Sequence, residues 1–261
     1  MVDYYIGTMG FSYRDWGGVF YPPGASPKDY LSLYSRVFNA VEIDSTFYGI
    51  PRPSTVTNWC DQSPEGFKFC LKLPRSITHE AALVDVQDEL ANFVESAGFL
   101  GDKLGVILIQ FPPSFDESNR EVFKIFLQNL PDRQTYAVEF RHPSWYSPNT
   151  TQLLADHEVC WAASEYPGVP QEVDLTTGMI FVRLVGVHGR FRAHNREQID
   201  ITAQLSSWWQ WIQSNVDTVH TVYVFFNDDY SGYAPGSANK LKQLIGLPIV
   251  EPQLPKQLRF L

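Results

Sequence analysis

Eight short runs rich in β-branched and aromatic residues recur along the chain, and most lead into a stretch of helical periodicity. The strand-like runs are Tyr4–Met9, Ala40–Asp44, Phe67–Leu73, Leu104–Gln110, Thr135–Phe140, Val159–Ala163, Met179–Leu184 and Thr221–Phe226. Ser26-Pro27 offers an N-cap and a first-turn proline to a helix with Tyr30, Leu31, Tyr34 and Val37 on one face. Further helices are expected at Ser54–Gln62, Val86–Leu100, Glu121–Leu130, Asn149–His157, Ile201–Asn215 and Ala238–Ile245. Leu90, Phe93, Val94 and Ala97 form the inner side of the third helix, and Val122, Ile125 and Phe126 that of the fourth. Such alternation implies a parallel sheet, because parallel neighbours need long crossovers. With no composition break in 261 residues, the pattern fits an α/β fold, a TIM-type (β/α)8 barrel in one domain spanning 1–261. An open doubly wound sheet competes, but no G-x-G-x-x-G follows the first strand, so a dinucleotide site is not indicated. The proline-containing tail Gly246–Leu261 is expected to run along the surface.

Strand parity then selects candidates. Side chains alternate between faces, and a helix-covered outer face must be apolar. The charged parity of each strand therefore points into the barrel: Glu42 with Asp44, Lys68 with Lys72, Glu139 with Arg141, and Arg183. Gln110 ends the inward parity of the fourth strand, and Asn227 follows the eighth. Barrel sites form at the C-terminal ends of the strands, so Glu42, Lys72, Glu139, Arg141 and Arg183 should meet at one mouth. Two acids and three bases leave one positive charge if all are ionised, which an anionic ligand or a protonated acid would balance. A filled internal salt-bridge network is the plainer alternative. Glu42 and Glu139 form a candidate acid/base pair; adjacent cations should keep both ionised, which suits a base better than an acid.

Other polar and aromatic residues cluster near the same strand ends. His79 lies just past the third strand and His142 follows Arg141, both placed for proton transfer. Gly186–Arg196 interleaves Arg190, Arg192 and Arg196 with Phe191, His188 and His194, after the strand where barrels often bind phosphate. Tyr13, Trp16, Phe47, Tyr48 and Trp145 could wall a cleft and stack on a sugar or a base. No H-x-H, H-E-x-x-H or C-x-x-C occurs, so no metal motif is present, and no cofactor is specified.

Several motifs, in order, resemble the YecE-like family, catalogued as domain of unknown function 72. They include Gly7-x-x-Gly10-Phe-x-Tyr13-x-x-Trp16, Val41-Glu-Ile-Asp-Ser-Thr-Phe-Tyr48, Lys72-Leu-Pro74, Ile77-Thr-His79, Gln110-Phe-Pro-Pro-Ser-Phe115 and Glu139-Phe-Arg-His-Pro-Ser-Trp145. The resemblance covers nearly the whole chain. It implies a TIM-barrel-type fold and bacterial or archaeal cytoplasmic occurrence, and it supplies no reaction. Asp44 stands where the family commonly has Asn, and Ser237 where Asn is usual. The family's Arg-x-His-Gly appears here stretched, as Arg183-Leu-Val-Gly-Val-His188-Gly189.

The functional expectation is an enzyme, a hydrolase or lyase, acting on a small or polymeric phosphate-containing anion at the barrel mouth. Glu42 or Glu139 would be the base, His79 or His142 would transfer protons, and Lys72, Arg141 and Arg183 would hold negative charge. Asp44, Gln110, Asn227, Trp16, Tyr13, Tyr48 and Trp145 complete the expected binding set. A nucleic-acid-binding module without catalysis ranks lower, because the net charge of −9 opposes polyanion binding. A carboxylate-pair glycosidase is a further alternative. No signal peptide or apolar run long enough to span a bilayer is visible, so a cytoplasmic protein with no membrane partner is expected.

Overall fold

Parallel strands need crossovers, and in this chain helices supply most of them. The computed structural model describes residues 2–252 and 254. Strands β1 (Asp3–Met9), β2 (Ala40–Ile43), β3 (Lys68–Lys72), β4 (Leu104–Gln110), β5 (Tyr136–Glu139), β6 (Cys160–Trp161), β7 (Ala163–Ser164), β8 (Met179–Leu184) and β9 (Thr221–Phe226) form one sheet. Every pairing is parallel. Helices α1 (Tyr30–Tyr34), α2 (Pro53–Gln62), α3 (Gln87–Gly98), α4 (Arg120–Gln128), α5 (Pro148–Asp156), α6 (Thr202–Asn215), α7 (Asp228–Ser231) and α8 (Ala234–Leu244) lie between and after the strands.

The sheet order is β6-β5-β4-β3-β2-β1-β9-β8-β7. Both ends of that order belong to one stretch of chain, expected as a single strand Val159–Ala163 and here divided at Ala162. Its first half pairs β5 through Ala137↔Cys160, and its second half pairs β8 through Ala163↔Val182. The sheet therefore comes nearly round on itself. A ring of strands leaves no unpaired edge, and the change of partner at Ala162 is where this ring meets.

Alternation separates two apolar layers. Ile6, Val41, Phe69, Leu71, Ile107, Ile109, Val138, Val182 and Val224 face the helices. Ala40, Cys70, Val106, Leu108, Ala137, Cys160, Phe181 and Phe225 fill the barrel below the mouth. Within β1, a Cβ on Gly7 would lie 2.0 Å from the Ala40 carbonyl oxygen. Its absence lets the buried Tyr34 hydroxyl donate to that oxygen at 3.0 Å and accept from the Thr8 amide at 2.8 Å.

Two expectations about the helices change. The inward side of α4 is Phe123, Phe126 and Leu127, whereas Ile125 is 53% exposed. Phe123 rather than Ile125 reaches the aromatic cluster of Phe111, Phe140 and Trp145, which moves the buried stripe by one residue, a rotation of about 100° around the helix. Helix α8 starts a turn earlier than expected, with Pro235 in its first turn. The described tail residues 246–252 are mostly exposed, as expected, and the rest of the tail lies outside the described residues apart from residue 254.

Candidate functional site

Four strands end in an inward-facing charge, and closing the barrel brings those ends together. Arg183, on β8, is 2% exposed and spans the mouth. Its Nε donates to both oxygens of Glu42, at 3.1 and 2.9 Å, and its Nη2 donates to Glu42 Oε1 at 2.6 Å. Through Nη1 it also donates to Glu139 Oε2. The other Glu139 oxygen accepts from Arg141 Nε at 2.7 Å. Glu42 and Glu139 have no exposed surface. Asp44 Oδ1 lies 3.7 Å from Arg183 Nη2, too far for a direct hydrogen bond.

Above this layer sits a less paired rim. Lys72, at the end of β3, is 8% exposed and enters none of the ion pairs among the described residues. Its Nζ lies 4.1 Å above the Phe47 ring. His79 meets the same ring edge-on at 4.8 Å. Arg141 stacks its guanidinium 4.4 Å from the centre of the Tyr166 ring. A cavity of about 470 Å³ opens on the Asp44 side, lined by Tyr13, Asp44, Ser45 and Tyr48, among others, and not by Lys72, His79 or Arg141.

Electrostatics divide the two carboxylates. Burial raises Glu42 to about 7, against the opposing pull of Arg183 and with a further push from Asp44. Burial also acts on Glu139, but Arg183 and Arg141 together outweigh it and hold that carboxyl down at about 2. The expectation that both stay ionised therefore applies only to Glu139, which has two guanidinium partners to Glu42's one. Burial, with Arg183 and Arg141 nearby, lowers Lys72 to about 8 despite Asp44 and Glu139. Desolvation, then Lys72 and Arg141, lower His79 to about 4, so its ring is neutral at pH 7.

The charge count also changes. Asp44 supplies a third carboxylate, so three cations and three anions cancel when all are ionised. A surplus positive charge returns as Glu42 takes up its proton.

The remaining expected residues fall into three groups. Gln110 is buried beside Glu139 in register, but its Nε2 donates to the Phe111 carbonyl. Tyr13 and Tyr48 line the cavity next to Asp44; Tyr13 also donates to the Met9 carbonyl at 2.6 Å, and Tyr48 is 77% exposed. Four residues are engaged elsewhere. Trp16 is fully buried and donates to Asp228 at 3.1 Å. Trp145 is fully buried, donates to the Phe115 carbonyl at 2.8 Å and stacks on Phe140. His142 caps the turn Pro143–Trp145, its Nδ1 accepting from the Ser144 amide at 3.2 Å. Asn227 caps α7 by accepting from the Asp229 amide at 2.9 Å. In each case the local backbone or core supplies a partner that sequence spacing could not reveal.

Arg190, Arg192 and Arg196 are exposed, and their loop is anchored on Asp229. The Asp229 carboxylate accepts from the Gly189 amide at 2.9 Å and lies 3.1 Å from His194 Nε2.

Two residues at the mouth escaped the sequence reading. Ser164 is fully buried opposite Arg183 in register, and its hydroxyl has no partner among the described residues. Extending strand-six parity by one residue past Ala163 would have found it. Tyr166 carries no such signal, because it lies in an irregular loop. No group of three or more His, Cys, Asp or Glu among the described residues is arranged to hold a metal. No helix among them is long and apolar enough to cross a membrane.

Comparison with known proteins matches this architecture. A family model described as Protein of unknown function DUF72 matches residues 5–259. The UPF0759 protein YecE of Escherichia coli O157:H7 is 27% identical over 256 residues, covering 87% of this chain and 91% of that protein. The UPF0759 protein YunF of Bacillus subtilis (strain 168) is 32% identical over 151 residues, covering 55% of this chain and 52% of that one. A crystal structure of a DUF72 family protein from Thermotoga maritima MSB8 superposes with a TM-score of 0.81 at 29% identity, over 94% of this chain and 99% of that one. A second, from Enterococcus faecalis V583, superposes with a TM-score of 0.79 at 22% identity, over 98% and 99%, and speaks for the fold alone.

Proposed function

The chain belongs to the DUF72 family, and from that premise we propose that it is an enzyme acting on an anionic, phosphate-containing substrate at the mouth of its barrel. The observation that carries the reading is the contrast between Lys72 and its neighbours. Every other cation of the cluster has a carboxylate within 4.0 Å, and Lys72 has none among the described residues. A cation left unpaired and largely buried is costly unless a ligand supplies its counter-charge. Arg141 stands beside it with a planar fork suited to phosphate.

Roles follow from exposure and charge. A ligand meets Lys72, Arg141, Asp44 and His79 first. Lys72 and Arg141 hold its negative charge, and neutral His79 accepts a hydrogen bond. Glu42, raised to about 7, keeps a proton available near neutral pH, and delivers it to an atom that enters the layer below the rim. Glu139 stays ionised and fixes the two arginines. Paired acids pushed apart in this way are the pattern of acid/base division. The glycosidase alternative is less well supported, because the Arg183 guanidinium occupies the space between the carboxylates, where a glycosidase must hold the scissile bond.

Calorimetry with inorganic phosphate and pyrophosphate, followed by a panel of phosphomonoesters and phosphodiesters, tests the reading. Binding that weakens by roughly ten-fold or more in Arg141→Ala, and turnover that falls by about 10²–10⁴ in Glu42→Gln, are the expected results. Absence of phosphate and pyrophosphate binding at low ionic strength would dispose of it.

A further inference from the structure

A second property of Lys72 is not explained by charge binding alone. Phosphate is usually held by an amine kept fully charged, yet this lysine sits where charge is disfavoured. It is held in the barrel wall at the end of β3, and two guanidiniums, Arg183 from β8 and Arg141 from the turn after β5, lie near it. Glu42 and Asp44 from β2 and its following turn, Glu139 from β5, and His79 from the turn after β3 complete its charged surroundings. Its amine lies over the Phe47 ring and has no carboxylate within ion-pair distance among the described residues. A lysine desolvated beside other cations is an activated amine, and an amine at a barrel strand's C-terminal end faces whatever the mouth binds.

We propose that Lys72 is an amine nucleophile, and that the ligand of this mouth is an anion bearing an aldehyde or ketone that condenses with it. The anionic half of this statement rests on the function proposed above; the amine chemistry does not. In the condensation the Nζ lone pair attacks the carbonyl carbon and the C=O π bond opens onto oxygen. That oxygen is protonated, and the nitrogen gives up its proton, to form a carbinolamine. The hydroxyl then leaves as water with a proton from Glu42, the C=N bond forms, and the remaining nitrogen proton returns to the Glu42 carboxylate. One water is released, and nothing is oxidised or reduced. Arg141 holds the anionic substituent while this occurs. The neutral amine is the reactive form, and its share grows as pH rises through about 8, so condensation should accelerate over the same range.

The test is reductive trapping on the intact wild-type protein. Glyoxylate serves as the anionic carbonyl and propionaldehyde as the uncharged one, each with cyanoborohydride, and peptide mass spectrometry reads every lysine. Lys72 is expected to be alkylated by glyoxylate at least about ten-fold faster than exposed Lys28, with a rate that climbs through pH 8. Labelling of Lys72 no faster than Lys28 overturns the proposal, and does so without touching the anion reading if phosphate still binds. Equal labelling of Lys72 by both probes upholds the amine chemistry and removes the anionic substrate instead. Lys72→Arg keeps a cation without a nucleophile: it should lose the adduct, with its fold checked by far-ultraviolet circular dichroism.

Discussion

Two tiers of the same barrel mouth use similar residues to opposite effect. In the lower tier Arg183, Glu42 and Glu139 are buried and mutually hydrogen-bonded. In the upper tier Lys72, Arg141, His79 and Asp44 keep some exposure, and only Arg141 makes a close ion pair. A buried charge with its partners in place is tolerated; one without them is a standing cost. The lower tier therefore reads as a frame that also holds the Glu42 proton, and the upper tier as the part that waits for a ligand.

The contrast is broken most directly at Arg183. Arg183→Met should lower unfolding free energy by about 3–5 kcal/mol in urea, because two carboxylates lose their shared partner. A loss under about 1 kcal/mol would mean that this layer is not a frame at all.

Acid titration of stability separates the two glutamates. Glu42 has a raised folded value of about 7, so the folded state holds its proton more tightly than the unfolded chain. Its contribution is fully present below the ordinary carboxylate range near 4 and is lost as pH rises to about 7. Glu139 is depressed to about 2, so its contribution is present above the ordinary range and is lost as pH falls towards that value. Glu42→Gln should flatten the decline between about pH 4 and 7, worth on the order of 3 kcal/mol across the window. Glu139→Gln should instead flatten the acid limb, and an unchanged profile in either variant contradicts the division.

At the rim the sign reverses. Lys72 is lowered to about 8, so the folded state disfavours its charge, and stability should rise as pH climbs from about 8 towards the ordinary lysine value near 10.4. Lys72→Met should abolish that rise, and at pH 7 should be neutral or stabilising by about 1–2 kcal/mol while phosphate affinity falls. Clear destabilisation would move Lys72 into the frame. The smallest effect belongs to exposed Tyr48: Tyr48→Ser should leave stability within about 0.5 kcal/mol, and a thermal melt suffices to check it.

Legibility differed between backbone and site. The inward parity of Glu42, Lys72, Glu139 and Arg183 was readable because a strand has only two faces and the helices claim one of them. Trp16, Trp145, His142 and Asn227 lay equally close to strand ends in sequence, yet local caps and core packing took them. A cap depends on one loop's dihedral angles and a stack on another element's approach, and neither leaves a periodic trace.

Short-range periodicity in the chain is enough to dictate the parallel alternation, the apolar filling of the barrel and which face of each strand carries charge. Only the closed ring decided that one guanidinium would bridge both glutamates while the lysine found no counter-ion among the described residues. That outcome depends on distances between strands far apart in the chain, and on how deeply each end is desolvated.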